Sequence, residues 1–560
     1  MKKKIPIGIG DFKELIEGDF YFVDKSLLIK DVIDDGAKVI LLPRPRRFGK
    51  TLSMSMLEYF FQKSENDNSH LFKGLKVVEH KGIMEKQGKY PVIFITFKDV
   101  KYSSWEECYD GLRVLVSKLF QRYKFILEDS KLSNYHKNEF LKIIDMRANI
   151  VELSNALATL SEILCEVYEE KTVILIDEYD VPIQSGFSNN YYKKIMEFIR
   201  NFLSAGLKDN TYLQKAVLTG ILRVSKESVF SGLNNLKVCT ILNPQYSRYF
   251  GFSHEEIEEL LKYYDVEDKI NDVKDWYNGY KFGKSLVYNP WSILNYIDNS
   301  EMGFMPHWVN TSSNNIVKEL LAKGGEGVKK DLEELIKGNS ITKKIDENIV
   351  MGDIHRDSES VWNFLFFTGY LKLVERELRM GRNICELKIP NKEVQYLFED
   401  IIISWFNENI SNDKYNIMLN SLVNGDIKTF SIILREYVLS SVSYFDTGKN
   451  ESEKFYHAFV LGLLISLSKE YQVKSNRESG YGRYDIMIIP KDKSKLGIII
   501  EFKKVDEYDK ETLEIAVNEA LKQIEEKNYK QELLDLGIEN IMELGIAFEG
   551  KEVLVKKGTE

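Results

Sequence analysis

Short apolar runs alternate with longer amphipathic stretches over residues 1–250 of this 560-residue chain. The apolar runs are AKVILL (37–42), YPVIFITF (90–97), TVILID (172–177) and KAVLTG (215–220). Strands buried on both faces of a parallel sheet are apolar throughout, and helical connections join them. The pattern therefore predicts an α/β domain with a parallel sheet over residues 1–250.

The remaining sequence predicts two further regions, since a chain of this length exceeds one core at about 150 residues per domain. Charged amphipathic helices around an aromatic stretch (275–294) predict a helical middle region over 251–442. Turn-forming and charged residues at 443–454 predict a linker. A smaller α/β domain is expected over 443–560, in the order helix (455–469), strand (484–489), strand (496–502), helix (511–527) and strand (541–549).

Net charge, cysteine spacing and the length of apolar runs exclude several classes of protein. A formal net charge of −9 argues against a wholly basic DNA-binding protein, although a local basic groove stays open. The four cysteines contain no C-x-x-C pair, which predicts reduced thiols rather than a zinc site or a disulfide framework: Cys108, Cys165, Cys239 and Cys385. No stretch approaches the ~20 apolar residues of a membrane span, and acidic residues interrupt the basic N-terminus before any signal-peptide core. We expect a soluble, cytoplasmic protein.

The segment LLPRPRRFGKTLSM (41–54) ends like a phosphate-binding loop of the form G-x-x-x-x-G-K-[ST], except that Arg44 occupies the position of the first glycine. An apolar run precedes the loop and a helical pattern follows it, so backbone N–H groups and a helix N-terminus would face phosphate. Lys50 would then contact the β- and γ-phosphates of ATP, and the Thr51 hydroxyl would contact Mg²⁺. The alternative is a basic turn before an ordinary core helix.

The segment VILIDEYD (173–180) is an apolar strand that ends in two acids. Asp177 can orient a Mg²⁺-bound water, and Glu178 can polarise the water that attacks the γ-phosphate. After the next strand, Thr219 or Arg223 is a candidate polar sensor of that phosphate, although a threonine that ends a buried strand is more often structural. The expected nucleotide-binding residues are Arg44, Pro45, Arg46, Arg47, Phe48, Gly49, Lys50, Thr51, Thr219 and Arg223, with Thr51 and Asp177 as metal ligands.

Several motifs in this order resemble the AAA-ATPase-like family of bacterial proteins: VDKSLLI (23–29), RPRRFGKTLSMSML, VILIDEYDVPI, LTGILRVSKESVFSGLNNL (218–236) and WYNGYKFG (276–283). They cover about half the chain. In that family the loop is rich in arginine, which implies that Arg44 belongs to the pattern. The resemblance implies a P-loop ATPase domain over residues 1–250.

A second site is indicated by Asp485 at the start of an apolar strand and by Glu501 and Lys503 on the next strand, after fifteen intervening residues. Residues two apart on a strand share a face, and hairpin pairing would bring Asp485 beside Glu501. Two carboxylates so placed can hold Mg²⁺ or Mn²⁺, and the lysine can orient the attacking water or stabilise phosphate charge. An exposed charged hairpin is the alternative.

This D…E-x-K arrangement resembles the PD-(D/E)XK nuclease superfamily over residues 445–555. The resemblance implies Glu453 as an accessory metal ligand and Gln523 with Tyr529 as a supporting motif. Tyr484 stands where the superfamily name has proline. Arg477 and Arg483 flank the acidic cluster in a glycine-containing loop and are candidates for contact with a nucleic-acid backbone or for surface salt bridges.

Together the motifs predict an ATP-hydrolysing protein fused to a metal-dependent nuclease, with DNA favoured as the substrate by resemblance alone. The expected cofactors are ATP and Mg²⁺, with Mn²⁺ as an alternative at the nuclease site. The rival hypothesis is a nucleotide-gated switch or signalling module whose C-terminal domain binds nucleic acid or a protein without cleavage. Assembly into a homo-oligomer is left open.

Overall fold

The computed structural model describes residues 2–64, 66–223, 235–308, 314–322, 324–336, 338–348, 358–407, 412–441, 460, 464, 467, 470–479, 482–505, 511–550 and 552–558. The chain divides into two compact units. The first comprises Met1–Ser312 and Thr342–Glu393, and the second comprises Ser313–Ile341 and Val394–Glu560. No helix in the described part of the chain is both long enough and apolar enough to span a membrane.

The first unit is built on a five-stranded sheet in the order β2-β3-β4-β1-β5. Its strands are β1 (Val39–Pro43), β2 (Val92–Thr96), β3 (Thr172–Asp177), β4 (Leu213–Gly220) and β5 (Leu236–Val238). All four pairings are parallel, and every residue of β1 and β3 is buried. The parallel α/β sheet predicted from the apolar runs is therefore confirmed.

This order places β4 between β1 and β3. The carboxyl ends of the three strands meet at one edge of the sheet, the position at which open α/β sheets bind their ligands. Helices precede the sheet or connect its strands: α1 (Phe12–Glu17), α2 (Leu27–Asp34), α3 (Lys50–Phe61), α4 (Lys81–Met84), α5 (Trp105–Gln121), α6 (Asn134–Ile144), α7 (Ile150–Ser154), α8 (Ala156–Tyr168), α9 (Val181–Ser188) and α10 (Tyr192–Leu207).

The middle of the chain is mainly helical, as the amphipathic patterns predict. It contains α11 (His254–Tyr263), α12 (Ile270–Tyr277), β6 (Tyr280–Phe282), β7 (Ser285–Val287), α13 (Pro290–Asp298), α14 (Asn315–Ala322), α15 (Glu326–Ile336), β8 (Ile341–Ile345), α16 (Ser358–Thr368), β9 (Lys372–Arg379), β10 (Arg382–Lys388), α17 (Lys392–Asn407), α18 (Asn412–Val423) and α19 (Ile427–Ser441). Two small sheets, an antiparallel β6-β7 hairpin and the order β8-β10-β9, were not predicted.

The C-terminal sheet has the order β11-β12-β13-β14-β15, in which only the β13-β14 pairing is parallel. Its elements are β11 (Tyr471–Ser479), β12 (Gly482–Pro490), β13 (Gly497–Lys504), α20 (Leu513–Glu526), α21 (Lys530–Asp535), β14 (Ile541–Glu549) and β15 (Glu552–Lys557). The second α/β domain is thus confirmed, with β11 and β15 added at its edges. Most of the predicted helix 455–469 lies outside the described residues.

Candidate nucleotide and nuclease sites

The loop between β1 and α3 closes around the side chain of Lys50. Gly49, the residue before α3, has φ 81°, a left-handed conformation that glycine adopts without steric cost. The Lys50 ammonium is buried and donates to the carbonyl oxygens of Arg44 (3.1 Å) and Pro45 (2.8 Å). Burial lowers the pKa of Lys50, and the nearby charge of Glu178 opposes that shift. The ammonium group of Lys50 is therefore held by carbonyl oxygens of the loop, and it would leave them to contact phosphate.

The start of α3 is tied to the end of β3. The Thr51 hydroxyl donates to Asp177 Oδ2 at 2.8 Å, and the Thr219 hydroxyl at the end of β4 donates to Asp177 Oδ1. Asp177 is fully buried. A hydroxyl beside a carboxylate is the oxygen pair that P-loop proteins use for Mg²⁺, so Thr51 and Asp177 fit that ion.

Glu178 follows Asp177 in a strained conformation, with φ 53°. Non-glycine residues seldom adopt the left-handed region, and such strain is concentrated at functional sites. Burial raises the pKa of Glu178, and the positive charge of Lys50 acts in the opposite direction. A carboxylate in a partly desolvated site beside a lysine has the properties of a general base.

The side chain of Arg44 is part of the core. It is fully buried, its Nη1 donates to the carbonyl oxygens of Pro43 and Cys239 at 2.7 Å each, and its guanidinium lies 5.0 Å from the ring of Phe250 and 5.6 Å from that of Phe282. Burial lowers the pKa of Arg44 to about 10. The arginine at the first-glycine position is thus packed into the fold, and its main-chain carbonyl contacts Lys50.

The remaining loop residues contact aromatic side chains that are distant in sequence. Arg47, with φ 66°, lies 4.2 Å from the ring centroid of Trp291, and the Trp308 indole donates to the Arg46 carbonyl at 3.1 Å. Phe48 is buried against Tyr280 and Phe282. Pro45 is buried, whereas the side chains of Arg46 and Arg47 are exposed. Sequence reasoning missed Trp291 and Trp308, because separations of more than 200 residues leave no signal in motif spacing.

Arg223 ends the described segment that follows β4. Its Nε is buried and has no hydrogen-bond partner among the described residues. Residues 224–234, which include much of the LTGILRVSKESVFSGLNNL motif, lie outside the described residues.

The second site lies where β12 and β13 pair. Ile486 is opposite Ile500, which brings Asp485 beside Glu501 as the predicted hairpin requires. The Asp485 N–H donates to Glu501 Oε2 at 3.3 Å, and the Phe502 N–H donates to Asp485 Oδ2 at 2.8 Å. Glu501 is 2% exposed, an unusual place for a carboxylate without a role.

Helix α20 and the segment after it support this acid pair. The Gln523 amide donates to Glu501 Oε1 and lies 3.5 Å from the Tyr529 hydroxyl. Tyr529 is buried and packs edge-on against Tyr484, the residue in the superfamily's proline position. The structure therefore brings together Asp485, Glu501, Gln523 and Tyr529, and places Lys503, which is half-buried, two residues along the strand.

Two adjacent carboxylates fit a hard divalent cation, because Mg²⁺ is usually bound through one or two carboxylates together with water and substrate oxygens. Among the residues that the structure describes, no group of three or more His, Cys, Asp or Glu side chains is placed to hold a metal ion. Glu453, the third ligand implied by the resemblance, lies outside the described residues, and the side chains of Arg477 and Arg483 are likewise not described.

Two family models match the parts of the chain that contain these sites. Residues 6–230 match the AAA-ATPase-like model, described as a predicted AAA-ATPase. Residues 451–558 match the model of the PD-(D/E)XK nuclease superfamily. The chain joins these two domains. The first match contains the loop, the acidic turn after β3 and Arg223, and the second contains Asp485, Glu501, Lys503 and Gln523.

One curated relative is 26% identical over 409 residues, which span 72% of this chain and 70% of the relative. It is a protein of Azotobacter chroococcum mcd 1 described as an uncharacterized protein in the vnfD 5' region.

Proposed function

We propose that the N-terminal domain hydrolyses ATP and that the C-terminal domain cleaves phosphodiester bonds of nucleic acid, with DNA as the favoured substrate. One observation carries the proposal. In each domain, residues that are separated in sequence come together as a carboxylate and a second metal-binding oxygen group. Asp177 contacts Thr51 at the phosphate-binding loop, and Asp485 contacts Glu501 beside Lys503.

At the first site the loop N–H groups and Lys50 bind the β- and γ-phosphates. The Glu178 carboxylate accepts a proton from the attacking water, whose oxygen bonds to the γ-phosphorus as the bond to the bridging oxygen breaks and ADP leaves. Thr51 and Asp177 would hold Mg²⁺, which would neutralise charge on the phosphates. Thr219 orients Asp177 through the hydrogen bond between their side chains.

At the second site Asp485 and Glu501 would hold Mg²⁺ or Mn²⁺, which supplies a more acidic bound water and neutralises phosphate charge. Gln523 orients the Glu501 carboxylate, and Lys503 stabilises charge that develops on phosphorus-bound oxygens. The water oxygen loses a proton to solvent and forms a new bond to phosphorus, the bond to the leaving sugar oxygen breaks, and that oxygen takes a proton from solvent.

The test measures ATP hydrolysis and Mn²⁺-dependent nicking of supercoiled plasmid by the full chain. Glu178→Gln is expected to lower the hydrolysis rate by about 100-fold and leave ATP affinity unchanged, since general-base loss typically costs ~10²–10⁴. Lys503→Ala is expected to lower the nicking rate by a similar factor. Lys504→Ala, on the opposite face of the same strand, is the matched control and should nick normally.

Normal hydrolysis by Glu178→Gln would contradict the ATPase assignment, and normal nicking by Lys503→Ala would contradict the nuclease assignment. If the wild-type chain binds ATP and nucleic acid but turns over neither, the rival hypothesis of a nucleotide-gated switch replaces the proposal.

A further inference from the structure

The acidic turn after β3 holds the segment that follows β4 through two adjacent, fully buried side chains, Tyr179 and Asp180. Asp180 Oδ2 accepts from the N–H groups of Ile221 (2.9 Å) and Leu222 (3.0 Å). The Tyr179 hydroxyl donates to the Leu222 carbonyl at 2.5 Å. Three hydrogen bonds therefore fix two consecutive residues. We name Tyr179 and Asp180, with these bonds, the turn clamp.

Close packing at Gly220 leaves the turn clamp little freedom. A Cβ at this position would lie 2.6 Å from Asp180 Oδ1 and 2.7 Å from the Tyr179 ring, closer than real Cβ contacts. The absence of a side chain at Gly220 thus lets the clamp close directly onto the backbone at the end of β4.

The same turn carries the residues of the nucleotide site. Asp177 accepts from the Thr219 hydroxyl, and the Tyr179 N–H donates to the Thr219 carbonyl at 3.2 Å. Glu178, with its left-handed backbone, lies between Asp177 and the clamp. A residue in such a strained conformation persists only where its surroundings hold it, so Glu178 and the segment after β4 are held by one set of contacts.

Arg223 follows the clamped pair directly. Its buried Nε has no hydrogen-bond partner among the described residues. A buried guanidinium donor without an acceptor costs free energy, and phosphate oxygens can accept from arginine in the paired geometry that it favours.

We propose that Tyr179 and Asp180 are positioning residues that fix Ile221 and Leu222, so that Arg223 contacts the γ-phosphate of bound ATP. The inference rests on the proposed nucleotide site and on Arg223 as the sensor of its γ-phosphate, and it adds the two residues that position this arginine. The turn after β3 then aligns both the general base and the γ-phosphate contact.

The experiment measures ATP and ADP affinities by competition with a fluorescent nucleotide in the presence of Mg²⁺, and records the melting temperature of each variant. The wild type is expected to prefer ATP over ADP. Arg223→Ala should lower that preference about tenfold, the worth of a charge-assisted hydrogen bond. Asp180→Ala should do the same, whereas Asp180→Asn, which keeps an oxygen acceptor, should stay within about threefold of wild type.

Two further comparisons separate positioning from general destabilisation. The double variant Asp180→Ala, Arg223→Ala should have the same ATP preference as Arg223→Ala alone, because Asp180 acts through Arg223. Tyr179→Phe should reduce the preference even if Asp180→Ala fails to fold. Its matched control is Tyr191→Phe, which also removes a buried hydroxyl, one bonded to the Tyr102 carbonyl and to Ser185. That control should leave the preference unchanged.

The inference is overturned if the wild type shows no ATP preference, if Tyr179→Phe and, where it folds, Asp180→Ala retain the full preference, or if the Asp180 and Arg223 effects add. An equal loss in Tyr191→Phe would also overturn it, since a structural defect would then explain the data. Absence of hydrolysis in the wild type contradicts the proposed ATPase alone, because the affinity ratio does not depend on turnover.

Discussion

Thr51 and Asp177 are 126 positions apart in sequence, and the threonine hydroxyl donates to the aspartate carboxylate at 2.8 Å. The contact joins the start of α3 to the end of β3 across the carboxyl edge of the sheet. It brings together the two oxygen ligands that a nucleotide-bound Mg²⁺ would use.

We predict that Thr51→Val abolishes the Mg²⁺ dependence of ATP affinity, because it keeps the shape of the side chain and removes its oxygen. Thr51→Ser, which retains the hydroxyl, is the matched control and should preserve that dependence. Titrations of a fluorescent ATP analogue with Mg²⁺ and with EDTA measure the effect. A Val variant that still binds more tightly with Mg²⁺ would show that Thr51 is not a metal ligand.

Arg44 offers a second prediction, since its guanidinium packs against Phe250 and Phe282. Arg44→Met should retain ATP affinity within about threefold, because an apolar side chain of similar length can occupy a buried ionic site. Arg44→Ala should lower the free energy of unfolding by about 3 kcal/mol through the cavity it leaves. Denaturant unfolding and ATP titration measure these effects. Loss of ATP affinity in a folded Met variant would make Arg44 a nucleotide contact instead.

Local pattern was sufficient to predict the sheet, because four of its strands are continuous apolar runs. The fifth, Leu236–Val238, has three half-buried residues and carries no such signal. The hairpin spacing likewise predicted that Asp485 would meet Glu501. Gln523 was implied only by the resemblance, since nothing in an amphipathic helix shows which polar side chain turns inward.

The contacts of Trp291 and Trp308 with the loop could not be predicted either, and the reason is different. Both contacts depend on how a distant segment packs on the loop, and motif spacing does not encode such packing. Nor did the sequence show that Arg44 would point into the core while Arg46 and Arg47 stay exposed, because three neighbouring arginines have the same local pattern.

Gln523 provides a third prediction through its contact with Glu501. Residues that orient a metal ligand commonly contribute ~10–100-fold to metal affinity. Gln523→Ala should therefore raise the Mn²⁺ concentration for half-maximal plasmid nicking by about tenfold, with a smaller effect at saturating metal. Gln531→Ala removes an exposed glutamine bonded to Asp535 and is the control. An unchanged Mn²⁺ requirement in Gln523→Ala would contradict this role.

The carboxyl group of Glu58 on α3 should make the free energy of unfolding depend on pH. Burial raises its pKa from 4.5 to about 7, although Arg122 lies 3.7 Å away, and its side chain is 19% exposed. The folded state holds this proton more tightly than the unfolded state. The contribution of the protonated side chain to the free energy of unfolding is therefore complete below pH 4.5 and is lost as pH rises to about 7. The loss is at most about 3 kcal/mol.

Glu58→Gln imitates the protonated acid, so we expect it to be more stable than wild type at pH 8 and similar at pH 4.5. Urea unfolding of wild type, Glu58→Gln and the exposed control Glu14→Gln at both pH values measures this difference. An equal advantage of Glu58→Gln at the two pH values would show that Glu58 does not release its proton in this range.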